Sequence, residues 1–302
     1  MLGAAKEAVM TIYRGYDQAG LDAQYNLRAA VPEHLEYFTR WAADSATVRA
    51  RLAGSVDVAY GPGARQRLDI FPAPAGGERG PTLAFIHGGY WQALDKSSFS
   101  YPAPVFHAAG ASYVAIGYPL APEAGMDAIV DSIRAALAWL WRNGGEYGID
   151  RDNIHVSGHS AGGHLAVTAL TTDWPGRAPD LPADLVKSAT AISGVYDLEP
   201  IRLCYLNQAL SLDAESARRH SPAAHVPDAA GPLFLAVGEA ETDEFRRQQA
   251  DFLSRWRAHG LIGVGVELPG LDHFAIADGL ADPESPLSKA IVAMISEDGG
   301  AG

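Results

Sequence analysis

A pentapeptide of the form Gly-x-Ser-x-Gly, at residues 158–162, constrains this chain more than any other feature. A strand-like run, residues 153–157, precedes it, and a helix-like run, residues 163–170, follows it. Where a strand turns sharply into a helix the backbone passes close to itself, so the ends of the turn must lack side chains. The pattern therefore predicts a strand, a tight turn that exposes Ser160, and a helix.

Short apolar runs alternate with helical segments along most of the chain. Runs of this kind, bounded by Gly and Pro, predict buried parallel strands. Eight strands are predicted, at residues 56–60, 66–71, 83–87, 112–118, 153–157, 188–193, 233–237 and 264–268. Residues 61–63, Gly-Pro-Gly, predict a hairpin between the first two. The alternation predicts an α/β fold with an eight-stranded, mostly parallel sheet and helices on both faces.

Two amphipathic segments precede the first predicted strand. Residues 6–19 and 32–53 are predicted to be helices, and the clearest later helix covers residues 127–142. We expect residues 1–54 to form a helical cap or lid on a main domain of residues 55–302. Residues 199–230 are expected to run over the surface and to frame the mouth of a pocket.

Composition and charge exclude several classes of protein. The 302 residues are 48% hydrophobic and carry a formal net charge of −13, which argues against a nucleic-acid partner. The single cysteine, Cys204, allows no internal disulfide bond. Neither a signal peptide's apolar core nor a membrane-spanning stretch is present, so a cytoplasmic location is expected. The histidines around Ser160 lack metal-ligand spacing, so no metal and no cofactor is expected.

A serine hydroxyl becomes a good nucleophile only when a base removes its proton. Histidine suits this role near neutral pH, and His273 follows the last predicted strand. A carboxylate must then orient the imidazole and stabilise its charged form. The loop after the seventh strand offers Glu241 as the favoured acid. Asp243 is the runner-up because an acid in a first helical turn already has a structural explanation; Glu239 and Asp197 stay open.

Glycines follow the third predicted strand, in His87-Gly88-Gly89-Tyr90-Trp91. Acyl transfer places negative charge on the carbonyl oxygen, and backbone N–H groups aimed at that point stabilise it. Successive glycines allow the backbone to curl and present such groups. The predicted oxyanion-hole donors are Gly88, Gly89 and Ala161, the residue after the serine.

With these pieces in order, the sequence resembles the kynurenine formamidase (arylformamidase) group of the α/β-hydrolases, close to the hormone-sensitive-lipase-like esterases. The matching segments are residues 87–91, 158–164, 193–198, 221–222, 238–248 and 272–274, with residues 25–28 extending the likeness. The resemblance implies the α/β-hydrolase fold and hydrolysis of N-formylkynurenine to kynurenine and formate. It supports Glu241 as the acid.

An aryl leaving group would suit an aromatic-lined pocket, for which Tyr90, Trp91, Tyr196 and Phe274 are candidates. Tyr90 and Trp91 have the alternative of packing in the core under the glycine loop. The partner implied is a small-molecule substrate, and a homodimer is left open. Other functions stay open too: a carboxylesterase, a lactonase, a carbamate hydrolase, or a hydrolase-fold binding protein without catalysis.

Overall fold

The computed structural model describes residues 10–75 and 79–296. Its eight strands form one sheet in the order β1-β2-β4-β3-β5-β6-β7-β8. The strands are β1 Ser55–Ala59, β2 Arg67–Phe71, β3 Thr82–Ile86, β4 Ser112–Ile116, β5 Ile154–His159, β6 Val186–Ile192, β7 Leu233–Gly238 and β8 Gly263–Leu268. Strand β2 runs antiparallel to β1 and β4, and all other pairs are parallel. The predicted mostly parallel sheet with its N-terminal hairpin is confirmed.

Helices connect the strands and precede them. They are α1 Gln18–Tyr25, α2 Leu27–Ala30, α3 His34–Arg51, α4 Ala103–Ala108, α5 Met126–Asn143, α6 Ala161–Leu170, α7 Trp174–Arg177, α8 Glu199–Leu203, α9 Asn207–Leu210, α10 Ala214–Arg219, α11 Asp243–Ala258, α12 Ala275–Asp278 and α13 Pro286–Ser296. Helix α5 buries a continuous apolar face, as its periodicity predicts.

The predicted helix over residues 6–19 is wrong where the structure describes it. Residues 6–9 lie outside the described residues, and residues 10–17 are irregular, with a bridge between Tyr13 and Tyr16. Helix α1 begins only at Gln18, because the Asp17 carboxylate accepts a hydrogen bond from the N–H of Gly20 and so caps the helix there. The second predicted helix is present as α3, which begins and ends two residues inside the predicted bounds.

The order of the strands determines where a ligand can bind. The chain leaves β3 toward β4 on one side, and it leaves β5 toward β6 on the other, although β3 and β5 are neighbours. Because such crossovers are right-handed, α4 and α6 lie on opposite faces of the sheet. A crevice therefore opens beyond the carboxyl ends of β3 and β5, at the topological switch point.

A buried ionic cluster anchors the segment that follows β3. The Lys96 ammonium lies 2.6 Å from Asp69 Oδ1 in β2 and 2.6 Å from Asp57 Oδ1 in β1. Asp69 also accepts the Asp57 N–H, and its side chain is fully buried. A buried charge is tolerated only when it is paired, so this cluster ties the loop of residues 87–95 to the antiparallel edge of the sheet.

Replacing Asp69 by alanine should therefore lower the free energy of unfolding by about 3 kcal/mol, because it leaves the buried ammonium with one exposed partner. The matched control is Asp131→Ala, which removes a half-exposed carboxylate paired with Arg134 and Arg177 and should cost less than about 1 kcal/mol. Urea unfolding followed by circular dichroism measures both values. Equal effects of the two substitutions would contradict the anchoring role of the cluster.

Candidate active site

Ser160 occupies a strained turn between β5 and α6. Its backbone lies at φ +58° and ψ −120°, outside the regions that non-glycine residues commonly adopt. A Cβ atom on Gly158 would lie 2.1 Å from the carbonyl oxygen of Gly162, and one on Gly162 would lie 1.9 Å from that of Ile86. The two glycines of the pentapeptide are therefore required by contact between backbone segments. The turn places Ser160 at the carboxyl end of β5, in the crevice described above.

Glu241 and His273 form a hydrogen-bonded pair. His273 Nδ1 lies 2.6 Å from Glu241 Oε2, and both side chains are buried. The other oxygen, Oε1, accepts hydrogen bonds from the Ser193 hydroxyl at 2.5 Å and from the Gly238 N–H at 2.8 Å. A carboxylate oxygen accepts hydrogen bonds, so His273 donates to Glu241 through Nδ1, and its Nε2 is not used by this pair.

The other candidate acids lie elsewhere. Asp243 is exposed in the first turn of α11, where the helix dipole favours a negative charge. Glu239 accepts the N–H of Gly270, and Asp197 accepts the hydroxyl of Tyr13. Among the described residues, Glu241 is the only one of these acids that contacts His273.

Ser193 and His159 are the site residues that the sequence reasoning missed. Ser193 lies directly after β6 at φ +50° and donates its hydroxyl to Glu241. His159, the variable residue before Ser160, lies 2.7 Å through Nε2 from the carbonyl oxygen of His273. Burial, and next the neighbouring His273, hold the pKa of His159 well below its ordinary value. His159 is therefore a neutral donor that holds the backbone of the His273 loop.

Ser160 shares one cavity with His273, although no hydrogen bond between Ser160 Oγ and His273 Nε2 is formed in the described part of the chain. Such bonds often tighten only when substrate is bound. The two side chains come from loops after β5 and β8, which the parallel sheet brings to the same edge.

The glycine loop after β3 lies against the serine. A Cβ atom on Gly88 would approach Ser160 Cβ to 3.0 Å, and Gly89 has φ +104°. In residues 10–75 and 79–296, the N–H groups of Gly88, Gly89 and Ala161 have no hydrogen-bond acceptor. His87 Nδ1 donates to the Gly88 carbonyl at 2.8 Å and so braces the loop. These three N–H groups are therefore free donors on the two segments next to Ser160, as the prediction of an oxyanion hole requires.

An aromatic-walled cavity of about 380 Å³ contains Ser160 and His273. Its lining residues are Asn26, Leu27, Arg28, Phe38, Trp41, Gly89, Tyr90, Gln92, Ala93, Leu94, His159, Ser160, Tyr205, Leu206, His273 and Phe274. Of the four predicted pocket aromatics, Tyr90 and Phe274 line it. The other Phe, Trp and Tyr residues of the wall are Phe38 and Trp41 of the N-terminal segment and Tyr205 of the 199–230 excursion.

Two of the predicted pocket residues are placed in the interior instead. Trp91 is fully buried, with its ring edge-on to His164 at 5.1 Å between centroids, so it packs beneath the glycine loop. Tyr196 is also buried and stacks on Phe252 at 4.5 Å. The prediction that they line the substrate cavity is wrong, because neither is among its lining residues. Trp91 packs against His164 of α6, and Phe252 of α11 covers Tyr196.

Tyr25 couples the N-terminal segment to both sides of the cavity. Its carbonyl oxygen accepts the hydroxyl of Tyr90 at 2.9 Å and that of Tyr205 at 3.3 Å. Its own hydroxyl donates to the buried Glu244 of α11. These bonds hold the segment of residues 25–28 against the cavity, which residues 26–28 line. No signal in the sequence connects residues so distant along the chain.

No helix in residues 10–75 and 79–296 is both long enough and apolar enough to cross a membrane. Within the same ranges, no three His, Cys, Asp or Glu side chains converge in a way that could hold a metal ion.

Comparisons with known proteins agree with this geometry. The model of the BD-FAE family matches residues 68–256. A kynurenine formamidase from Danio rerio is 32% identical over 260 residues, covering 84% of this chain and 86% of the relative. Esterase LipQ from Mycobacterium tuberculosis is 31% identical over 244 residues, covering 74% of this chain and 58% of the relative.

Solved structures extend the likeness. A candidate thioesterase from Silicibacter sp. TM1040 superposes with a TM-score of 0.77 at 31% identity, covering 91% of this chain and 98% of that one. An esterase from Pyrobaculum calidifontis, at 21% identity, 87% and 92% coverage and a TM-score of 0.66, shares the fold. The chain therefore belongs to the BD-FAE family and is a hydrolase in the formamidase and esterase group of the α/β-hydrolases.

Proposed function

We propose that this enzyme hydrolyses small aryl formamides through an acyl-enzyme, with N-formylkynurenine as the substrate that fits best. The observation that carries the proposal is the buried Glu241–His273 pair, because its His273 lines the same aromatic-walled cavity as a serine on a strained turn. The identity to kynurenine formamidases over most of the chain supports the formamide as substrate.

In the first half of the reaction, Ser160 Oγ attacks the formyl carbon while its proton passes to His273 Nε2. The carbonyl oxygen becomes negatively charged and is stabilised by the N–H groups of Gly88, Gly89 and Ala161. Glu241 stabilises the imidazolium that forms and holds its ring in position. The C–N bond then breaks, and His273 gives its proton to the departing aniline nitrogen.

In the second half, water replaces the amine. His273 Nε2 takes a proton from the water, whose oxygen attacks the formyl-serine carbon. Collapse of the second tetrahedral intermediate breaks the bond to Ser160 Oγ, releases formate and returns the proton to the serine. The same three residues thus serve both halves.

The aromatic wall suits an aryl leaving group. Phe274 follows His273 directly and lies edge-on to Phe38 at 5.4 Å between centroids, and Trp41 lies beside both. Flat apolar surfaces of this kind bind a substituted benzene ring through burial and edge or face contacts. An aryl ester carries the same ring, so the aromatic wall would also suit the alternative function, a carboxylesterase for small esters. The esterase relatives support this alternative.

The two functions differ in their preferred leaving group, so steady-state kinetics on N-formylkynurenine and on p-nitrophenyl acetate will separate them. We expect a kcat/KM for the formamide at least as large as that for the more reactive ester. Ser160→Ala should reduce both by at least about a thousandfold, which shows that one nucleophile serves both substrates. Negligible formamide turnover beside rapid ester turnover would overturn the formamidase proposal and leave the esterase.

The acid can be assigned by a matched pair of substitutions that each remove one negative charge. Glu241→Gln should lower kcat by about a thousandfold or more, because the amide cannot stabilise the imidazolium and can favour the wrong tautomer. Asp243→Asn, in the same loop region but exposed, should change kcat less than about threefold. A larger loss for Asp243→Asn would reassign the acid.

Ser193 provides a test of how Glu241 is positioned. Ser193→Ala removes one charge-assisted hydrogen bond from the carboxylate, so we expect kcat to fall about tenfold with KM nearly unchanged. The control is Ser157→Ala in β5, which removes a buried hydroxyl without a hydrogen-bond partner in the described residues. If both variants keep the wild-type kcat, the Ser193 bond has no part in positioning the acid.

A further inference from the structure

The charge of the active-site cavity is uneven. Among the described residues that line it, Arg28 is the single Lys or Arg, and no Asp or Glu is present. His159 is held neutral by burial, and the Nδ1 atom of His273 is paired with Glu241. The permanent charge that a substrate meets in this cavity is therefore the guanidinium of Arg28.

Arg28 has no carboxylate within ion-pair distance in the described part of the chain. Other arginines of the chain are paired, since Arg40 pairs with Asp278 and Arg247 pairs with Glu244. The Arg28 guanidinium instead lies 6.0 Å from the ring centroid of Phe38, which is itself part of the aromatic wall. An unpaired guanidinium keeps its donors available for a planar anion.

The backbone that carries Arg28 is held in place. Arg28 lies in α2, which follows Tyr25 closely, and the Tyr25 carbonyl accepts the hydroxyls of Tyr90 and Tyr205. Leu27, the residue before Arg28, is buried. Asn26, which also lines the cavity, uses Oδ1 to accept the N–H of Ala29 and so keeps its Nδ2 as a donor beside Arg28. The donors of Asn26 and Arg28 thus lie on one short segment that hydrogen bonds hold in place.

We propose that Arg28 recognises a carboxylate on the leaving group, so that the substrates of this site are aryl formamides that carry an acidic side chain. The inference rests on the proposed function and narrows it. A guanidinium can bind both oxygens of a carboxylate through two parallel hydrogen bonds. A contact far from the reacting bond is made equally in the ground state and in the transition state, so it should lower KM more than it raises kcat.

The experiment compares N-formylkynurenine with the analogue in which a carboxamide replaces its carboxylate. The two share the formamide, the ring and the ammonium group. We expect wild-type enzyme to prefer the carboxylate, and Arg28→Gln to reduce the ratio of the two kcat/KM values about tenfold, mainly through KM. Arg28→Lys should retain part of the preference, and salt should weaken it because Arg28 is exposed.

The matched control is Arg51→Gln, which removes the same charge from an exposed arginine outside the cavity and should leave the ratio unchanged. Thermal unfolding of each variant checks that the fold is kept. A ratio that Arg28→Gln leaves unchanged, with both formamides still hydrolysed, would overturn this inference alone. Hydrolysis of neither formamide by the wild type would overturn the proposed function and the inference together.

Discussion

The buried carboxylate of Glu241 is the interaction on which the rest of the site depends. An ionised side chain without exposure is tolerated only if donors satisfy it, and here the donors are a hydroxyl, a backbone N–H and an imidazole. They come from the ends of β6 and β7 and from the loop after β8. One carboxylate therefore joins three loops, and it holds His273 at the cavity that Ser160 also lines.

The parallel sheet supplies the frame in which that pairing is possible. Because β3 to β8 run in the same direction, every loop that carries a candidate catalytic group emerges at one edge. The reversal of strand order between β3 and β5 opens the crevice that the glycine loop and Ser160 occupy. The ionic cluster of Lys96 then secures the far end of the glycine loop against the antiparallel hairpin.

Segments outside this frame form part of the cavity wall. The segment of residues 25–28 contacts the 199–230 excursion at the cavity, where the Tyr25 carbonyl oxygen accepts the hydroxyl of Tyr205. The same oxygen accepts the hydroxyl of Tyr90 from the glycine loop. The two segments contribute Tyr205 to the aromatic wall, and they contribute Arg28, the one lining guanidinium among the described residues. The candidate catalytic residues and much of the cavity wall around them thus come from different parts of the chain.

The sequence by itself determined the sheet and the strained turn at Ser160, and it favoured Glu241 over Asp243 as the acid, because each inference depends on local pattern or on order along the chain. Glycines that flank a sharp turn and an acid that already has a place in a first helical turn can be recognised without knowing any distant contact. Only the tertiary structure decided that Ser193 and His159 support the Glu241–His273 pair, that Trp91 and Tyr196 turn into the core, and that Arg28 reaches the cavity. Those outcomes depend on which side chains meet across the fold, and a contact between Tyr25 and Tyr205 leaves no periodicity in the sequence.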